Sequence, residues 1–176
     1  GKELSQEICS FLKNTVSKYD IVLVADYGYG MMNTEIIDTV TSDAKHVAVY
    51  SPINAENRGY NTIEKYKTFD FGCINEEELQ LVSRNKHASV ITLLENFVQK
   101  VECDFMAITR GRHGCVLHSR QIQTQEIPAF SVEALDIAGA QEYFFTLAAV
   151  LYAARAPAEV AGFIANAIAA IAIQVV

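Results

Sequence analysis

Several signatures of common protein classes are missing from this chain of 176 residues. Its four cysteines form no C-x-x-C pair, which argues against a zinc site. Its 14 Lys and Arg residues form no cluster, and with a net charge of −7 they indicate no nucleic-acid-binding face. The absence of a P-loop and of a G-x-S-x-G elbow disfavours Walker-type nucleotide binding and serine hydrolysis.

A membrane span is also disfavoured, although residues 160–176 are strongly apolar. Asn166 and Gln174 interrupt this stretch, and its many alanines insert weakly into a bilayer. The amphipathic spacing predicts instead a buried helix of a water-soluble protein. The side chains predicted on its buried face are Val160, Phe163, Ile164, Ala167, Ile168, Ile171 and Val175.

The ends of the chain and its cysteines bear on its cellular location and on whether it is a piece of a longer protein. No signal-peptide pattern opens the chain, and three of the four cysteines lie in apolar runs. We therefore expect a cytoplasmic protein with buried, reduced thiols. The first residue, Gly1, is not a methionine, and the last helix runs to Val176. These two features predict a piece of a longer protein.

What the chain does contain is a regular alternation of β-branched runs and helical spacings. The 51% hydrophobic and 20% charged residues suit one domain with a sizeable core. The alternation predicts an α/β domain with a mainly parallel sheet, with continuous apolar strands such as residues 21–25 buried on both faces. Strands are predicted at residues 21–25, 46–50, 69–74 and 104–109, with a hairpin at 115–118 and 122–127. Helices are predicted over residues 4–16, 34–42, 75–84, 88–101 and 139–154, and a last one with Pro157 at its first position.

The most informative stretch is residues 136–142, where an apolar run, a Gly-containing turn and an Ala-rich helix follow one another. The start of a helix binds anions through its unpaired amides and its dipole. This stretch, D-I-A-G-A-Q-E, resembles the D-T-x-G-A-G-D signature of the ribokinase-like (PfkB) carbohydrate kinases. The resemblance implies an anion hole formed by the amides of Gly139, Ala140 and Gln141. It implies Glu142 as the base and Asp136 in a loop that holds a monovalent cation.

A second segment, A-D-Y-G-Y-G at residues 25–30, resembles the D-Y-G-x-G segment of the heptose-kinase branch of this family. The resemblance places Asp26 on the substrate side, and a Lys is common in that branch where Tyr29 stands. The same glycines form part of a dinucleotide fingerprint, so a dinucleotide-binding oxidoreductase fragment stays open as an alternative. That alternative is weak, because the next strand carries no acid for a ribose.

Two further segments follow in the order of the family. Residues 75–78 fit its N-x-x-E motif, which implies a nucleotide role for Asn75 and an indirect Mg²⁺ role for Glu78, although a capping box explains the same residues. Residues 109–114 resemble its T-x-G-x-x-G segment. That likeness implies nucleotide binding by Thr109, Gly111 and Gly114, where a plain hairpin turn is the alternative. Asn166 in the last helix is a nucleotide candidate by the same likeness, or else a satisfied core amide.

A zinc site would use a different set of residues from the same region. Cys103, His113, Cys115 and His118 are near one another in sequence. His118 would point away from His113 and Cys115 on a strand, so this reading is disfavoured.

Together the four segments imply a three-layer α/β/α ribokinase-like domain over residues 1–176. It would be the nucleotide-binding C-terminal part of a sugar kinase, without the sugar-binding and lid part. ATP, Mg²⁺ and a sugar or sugar phosphate are the expected ligands, and nucleic acid and membrane are not. A homo-oligomer or association with a missing N-terminal half is expected. Gln141 in place of Gly, and Glu142 in place of Asp, imply impaired transfer, with a non-catalytic assembly or regulatory domain as the alternative.

Overall fold

A single mixed sheet organises the computed structural model of the chain, which describes residues 2–57, 59–120, 124–130 and 139–174. Within these residues the strands lie side by side in the order in which they occur in the sequence. β1, β2, β3 and β4 run parallel, and β5 and β6 are antiparallel to their neighbours. The predicted mainly parallel sheet and the predicted hairpin are confirmed. The strands are β1 Val22–Ala25, β2 Val47–Tyr50, β3 Thr68–Asn75, β4 Glu102–Thr109, β5 Cys115–Ser119 and β6 Gln125–Ile127.

Helices cover both faces of this sheet and give the predicted three layers. The first four helices lie on one face, where α4 contributes Leu94 and Phe97 to the core against Val49 and Met106 of the strands. The last two helices lie on the other face. They are α1 Lys2–Lys13, α2 Thr34–Asp43, α3 Glu76–Val82, α4 Val90–Phe97, α5 Ala140–Ala153 and α6 Ala158–Ala172.

The core on the second face is largely aromatic. Phe71 of β3 stacks on Phe105 of β4 at 5.4 Å between ring centroids and on Phe145 of α5 at 6.1 Å. Phe144 is also fully buried there. Truncating one such ring to Ala typically costs about 3–5 kcal/mol, so these contacts fix α5 on the sheet.

Side-chain caps set the starts of three helices. Asn33 accepts a hydrogen bond from the Ile36 amide at the start of α2, and Ser89 caps α4. Asn75 and Glu78 form the predicted capping box. Pro157 precedes the first turn of α6 as its N-cap residue, so the prediction that it occupies the first helical position is off by one.

The burial of β1 differs from the sequence-based expectation. Its residues alternate in exposure, and the Leu23 side chain is 37% exposed, so the predicted burial on both faces is wrong. The reason is position: among the described strands β1 is an edge strand, and α5 packs over the middle of the sheet. A run of β-branched residues indicates a strand but does not say how many faces are covered.

The orientation of α6 also differs. Ala161, Gly162 and Ala165 face the protein, and a Cβ on Gly162 would lie 2.3 Å from a Leu117 methyl carbon. The predicted buried residues Val160, Phe163, Ile164 and Ile171 are exposed, and Phe163 packs edge-on against Phe130. The helix is apolar nearly all round, so its periodicity does not select a face, whereas close approach to β5 requires small side chains. Val175 lies outside the described residues.

The cysteines and the apolar helices agree with a compact α/β core. All four cysteines are buried and unpaired, as predicted for the thiols. Over the described parts of the chain, no helix has the length and hydropathy of a membrane span. The same residues hold no cluster of three or more His, Cys, Asp or Glu side chains suited to a metal ion.

Candidate functional site

The carboxyl ends of the four parallel strands lie along one edge of the sheet. Asp26 follows β1, Tyr50 ends β2, Asn75 ends β3 and Thr109 ends β4. Open α/β sheets bind their ligands at this edge. The start of α5 lies over the same edge, so residues far apart in sequence converge there.

A cavity of about 370 Å³ occupies the β3–β5 end of this edge. It is lined by residues from five separate segments, including all five that the sequence predicted to bind a nucleotide. Two residues of the predicted anion hole, Ala140 and Gln141, also line it. The lining residues are Asn75, Thr109, Gly111, Arg112, Gly114, Ala129, Phe130, Ala140, Gln141, Phe144, Asn166, Ala169, Ala170 and Ile173.

The two glycines of this cavity have different structural roles. Gly111 has a φ of 53° and open space where a Cβ would lie. Gly114 has a φ of 81°, and a Cβ there would lie 1.9 Å from the Ile127 carbonyl oxygen. The tight packing of the hairpin therefore requires Gly114, whereas Gly111 leaves space on the cavity side.

Asn166 faces the same cavity and is 9% exposed. Its Nδ2 lies 3.4 Å from Cys115 Sγ and 3.5 Å from the carbonyl oxygens of Ile127 and Pro128. These long contacts tie α6 to the end of β6. The amide is thus both a partly satisfied core group and a polar feature of the cavity wall.

The first turn of α5 begins at Gly139, which has a φ of 78°. Its carbonyl accepts from the Tyr143 amide, the first hydrogen bond of the helix. The preceding amides of Ala140, Gln141 and Glu142 belong to the helix start, where intrahelical acceptors are lacking. Asp136, the predicted cation-loop residue, lies outside the described residues.

The Gln141 side chain points toward Glu78, with its Nε2 3.5 Å from Glu78 Oε2. Glu78 is 3% exposed, and its two carboxylate oxygens accept from the backbone amides of Asn75 at 2.7 Å and Ile53 at 2.9 Å. Burial raises the pKa of Glu78, and these hydrogen bonds offset part of the rise. The capping box therefore also anchors a carboxylate beside the helix start.

Glu142, the predicted base, is held by two tyrosines that the sequence interpretation missed. The hydroxyls of Tyr27 and Tyr50 donate to the same oxygen, Glu142 Oε1, at 3.0 and 3.3 Å. Burial is the larger cause that raises the pKa of Tyr27, and the hydrogen bond to Glu142 raises it further. Tyr27 lies in the D-Y-G segment beside Asp26, and that position was the sequence's one indication of a role for it. Its hydrogen bond to Glu142 could not be predicted, because the two residues are 115 positions apart.

Asp26 is buried in a second network that the sequence did not reveal. Its carboxylate forms an ion pair with Lys65 and accepts from the Tyr66 hydroxyl at 2.8 Å and the Gly28 amide at 3.0 Å. Burial alone would raise the pKa of Asp26, but these partners outweigh burial and lower it. Lys65 thus places a positive charge beside Asp26, which lies in the segment at residues 25–30 that also contains Tyr29.

The loop residues 51–57 and 59–61 pack against this turn through side-chain hydrogen bonds. Asn54 and Asn57 both donate to the Tyr27 carbonyl, and Asn61 donates to the Asp26 carbonyl. A dinucleotide site at the same turn has little support, because Asn33 already caps the following helix and Asp26 places a carboxylate at the turn. The loop therefore shapes the β1 end of the site.

Solved structures resemble this fold over nearly its whole length. Arabidopsis thaliana ribokinase, in a complex with ribose and ATP, superposes with a TM-score of 0.75 at 16% identity, covering 96% of this chain and 53% of that one. The tetrameric inhibited form of Escherichia coli phosphofructokinase-2 superposes with a TM-score of 0.81 at 12% identity, covering 98% and 57%. The predicted ribokinase-like α/β fold is confirmed.

The sequence assigns the family within this fold. The pfkB family carbohydrate kinase model matches residues 14–176, and the chain belongs to this family. Among curated relatives, bifunctional protein HldE of Bradyrhizobium diazoefficiens is 24% identical over 175 residues, and that of Trichlorobacter lovleyi 26% over 174. The resemblance to the PfkB family is confirmed. The chain spans 35% of the length of each of these two relatives.

Proposed function

We propose that the chain is the nucleotide-binding, C-terminal part of an ATP-dependent sugar kinase in which phosphoryl transfer is impaired. One observation carries the proposal. The five predicted nucleotide-binding residues come from three separate segments, yet they line one cavity together with Ala140 and Gln141 at the start of α5. A cavity beside a helix start suits a ligand with an apolar ring and an anionic tail.

The proposed role of each residue follows from its position along the sheet edge. The nucleoside occupies the cavity, with Asn166 and Thr109 as polar contacts, and the phosphates extend to the amides of Gly139, Ala140 and Gln141. Glu142 accepts the proton of the sugar hydroxyl, and Asp26 lies on the sugar side. Kinase chemistry depends mainly on this alignment and on charge stabilisation.

Metal ions have a limited place in this arrangement. Bound Mg²⁺ would neutralise charge on the phosphates. Glu78 suits an indirect role through a metal-bound water, because both of its oxygens already accept backbone amides. Asp136 is proposed to organise a loop that holds a monovalent cation.

Impaired transfer is proposed from the two altered residues of the motif. Gln141 directs its amide to Glu78, and Glu142 is bonded by two tyrosines. A non-catalytic domain used in assembly or regulation is a second candidate, and the same contacts favour it, because both side chains are already engaged within the protein. Glu is one methylene longer than Asp, and a displacement of about 1 Å can lower a rate roughly a hundredfold.

A sugar or sugar phosphate would be bound with the help of a further part of the protein, supplied by an N-terminal half or by a second copy. The four buried, unpaired thiols suit the reducing cytoplasm.

Calorimetric titration with ATP–Mg²⁺ and ADP–Mg²⁺ tests nucleotide binding. We expect binding below millimolar concentration, and at least about tenfold weaker binding in Gly111→Leu, which fills the cavity. Gly30→Leu is the matched control, because Gly30 also has a positive φ and open space at its Cβ position but does not line the cavity. No heat with either nucleotide at millimolar concentration would sink the kinase proposal.

Turnover tests the impairment. In a longer protein with the sugar-binding part, Gln141→Gly combined with Glu142→Asp is expected to raise sugar-dependent ATP turnover. Unchanged turnover with intact nucleotide binding would refute the account of impairment and favour the non-catalytic candidate.

A further inference from the structure

The features of the site follow a fixed order along the sheet edge. The Glu142 carboxylate lies at the ends of β1 and β2, where Tyr27 and Tyr50 hold it. The nucleotide cavity lies at the ends of β3, β4 and β5 and does not include Glu142 in its lining. Glu142 and the cavity are therefore neighbouring parts of the sheet edge, and Gln141, the residue before Glu142, lines the cavity.

Gln141 lies where these two regions meet. Its backbone belongs to the helix start, and its side chain lines the cavity and reaches Glu78 just after β3. Glu78 is itself fixed by the amides of Asn75 and Ile53. A phosphate that extends from the cavity toward Glu142 would meet the Gln141 side chain and its contact with Glu78.

The charges along this route oppose a further phosphate. Glu78 and Glu142 are two carboxylates on either side of Gln141. Lys65 is engaged by Asp26 and by the Asn61 side chain at 2.6 Å, both on the β1 side. Within the described ranges, the cation that lines the cavity is Arg112, on the β4–β5 side.

From this arrangement we infer that the cavity accepts a nucleoside diphosphate in preference to a triphosphate, with Gln141 as the residue that sets the preference. The inference rests on the proposed function and narrows its ligand. A third phosphate would extend the ligand toward the Gln141 side chain, which lines the cavity and lies 3.5 Å from the buried Glu78 carboxylate. The third phosphate, which a kinase would transfer to the sugar, is then the phosphate that the site binds least well.

Calorimetric titration of the full chain with ADP and ATP, each with excess Mg²⁺, tests the preference. We expect ADP to bind about tenfold more tightly than ATP, because the third phosphate of ATP must displace the Gln141 side chain from its contact with the charged Glu78 carboxylate. Gln141→Ala removes the side chain and keeps a good helix former, so the ratio of the two dissociation constants should fall to about one. Thr146→Ala, on the exposed side of the same helix, is the control and should keep the wild-type ratio.

Three outcomes overturn the inference while leaving nucleotide binding intact. They are ATP binding as tightly as ADP in the wild-type chain, an unchanged ratio in Gln141→Ala, and an equal loss of preference in Thr146→Ala. Failure of both nucleotides to bind would instead overturn the proposed function, and this inference with it.

Discussion

The Tyr27 hydroxyl donates a 3.0 Å hydrogen bond to Glu142 Oε1 and thereby joins the end of β1 to the first turn of α5. Tyr50 donates to the same oxygen from the end of β2. Because both donors are fixed at strand ends, the carboxylate is held at one place on the sheet edge. The pair therefore stabilises the packing of α5 and orients the predicted base at the same time.

Removing one of these hydroxyls should reduce stability measurably. Tyr27→Phe deletes one donor to a partly buried carboxylate, and we expect the free energy of unfolding to fall by about 1–2 kcal/mol in a urea titration. The control is Tyr29→Phe, since Tyr29 is 73% exposed, and its effect should be within about 0.5 kcal/mol. Equal losses in the two variants would contradict a specific role for the Tyr27 hydroxyl.

The Asp26–Lys65 pair should contribute more, because Asp26 is only 4% exposed. Asp26→Asn leaves Lys65 without its carboxylate, and we expect a loss of about 3 kcal/mol at neutral pH. Asp20→Asn provides the comparison, because Asp20 pairs with Lys45 on the exposed surface. Its effect should stay below about 1 kcal/mol. A loss in Asp26→Asn as small as that in Asp20→Asn would argue against a structural role for the buried pair.

The same carboxylate predicts a pH dependence. In the folded state the partners of Asp26 lower its pKa below the usual value of 3.8. The ionised carboxylate therefore contributes its full stabilisation above pH 3.8, and this contribution is lost as the pH falls through the lowered pKa of the folded state. Urea titrations from about pH 7 to about pH 2 should therefore show the difference between wild type and Asp26→Asn shrinking only in the acid range. A difference that is constant throughout would indicate that charge is not its source.

Glu78 provides a test of acceptor geometry in the capping box. Its two oxygens accept from two backbone amides, and Gln offers one acceptor oxygen and one NH₂ group. We expect Glu78→Gln to lose about 1–2 kcal/mol of unfolding free energy, even though it removes a buried charge. Glu77→Gln, one residue earlier and exposed, should be nearly neutral. Increased stability in Glu78→Gln would mean that the desolvated charge outweighs the lost acceptor.

The two glycines of the cavity should respond very differently to alanine. In Gly114→Ala the new methyl group would collide with the Ile127 carbonyl oxygen, so a loss of about 3 kcal/mol or more is expected. Gly111→Ala meets no atom within 4 Å, and only its positive φ should cost about 1–2 kcal/mol. Thermal unfolding of both variants would measure the contrast. Similar melting temperatures would contradict the steric explanation for Gly114.

Local patterns predicted much of the fold. The β-branched run that became β2 and the capping box of Asn75 and Glu78 each act through near neighbours, and both agree with the sequence-based interpretation. The exposed face of α6 and the open face of β1 were not predicted, because burial depends on which element covers a face. Phe163 and Leu23 are apolar enough to be core residues, and only tertiary packing leaves them exposed.

For the site, local motifs again predicted some residues and missed others. Shared motif order indicated Thr109, Asn166 and Gln141 as neighbours, and they line one cavity. The partners that hold the charged residues were missed, since Lys65 is 39 residues from Asp26 and carries no motif of its own. This pairing joins a residue of the turn before β3 to a residue that follows β1, and no local spacing encodes it.

The sequential order of the strands has a consequence for synthesis on the ribosome. Each strand pairs with the one made just before it, so the sheet can grow as the chain emerges. One face, with Tyr50, Phe71 and Phe105, is covered only when α5 and α6 follow from residue 140 onward. Until then the nascent chain presents an uncovered aromatic surface, the kind of intermediate that recruits chaperones or aggregates. The last two helices therefore bury the aromatic surface that the growing sheet leaves exposed.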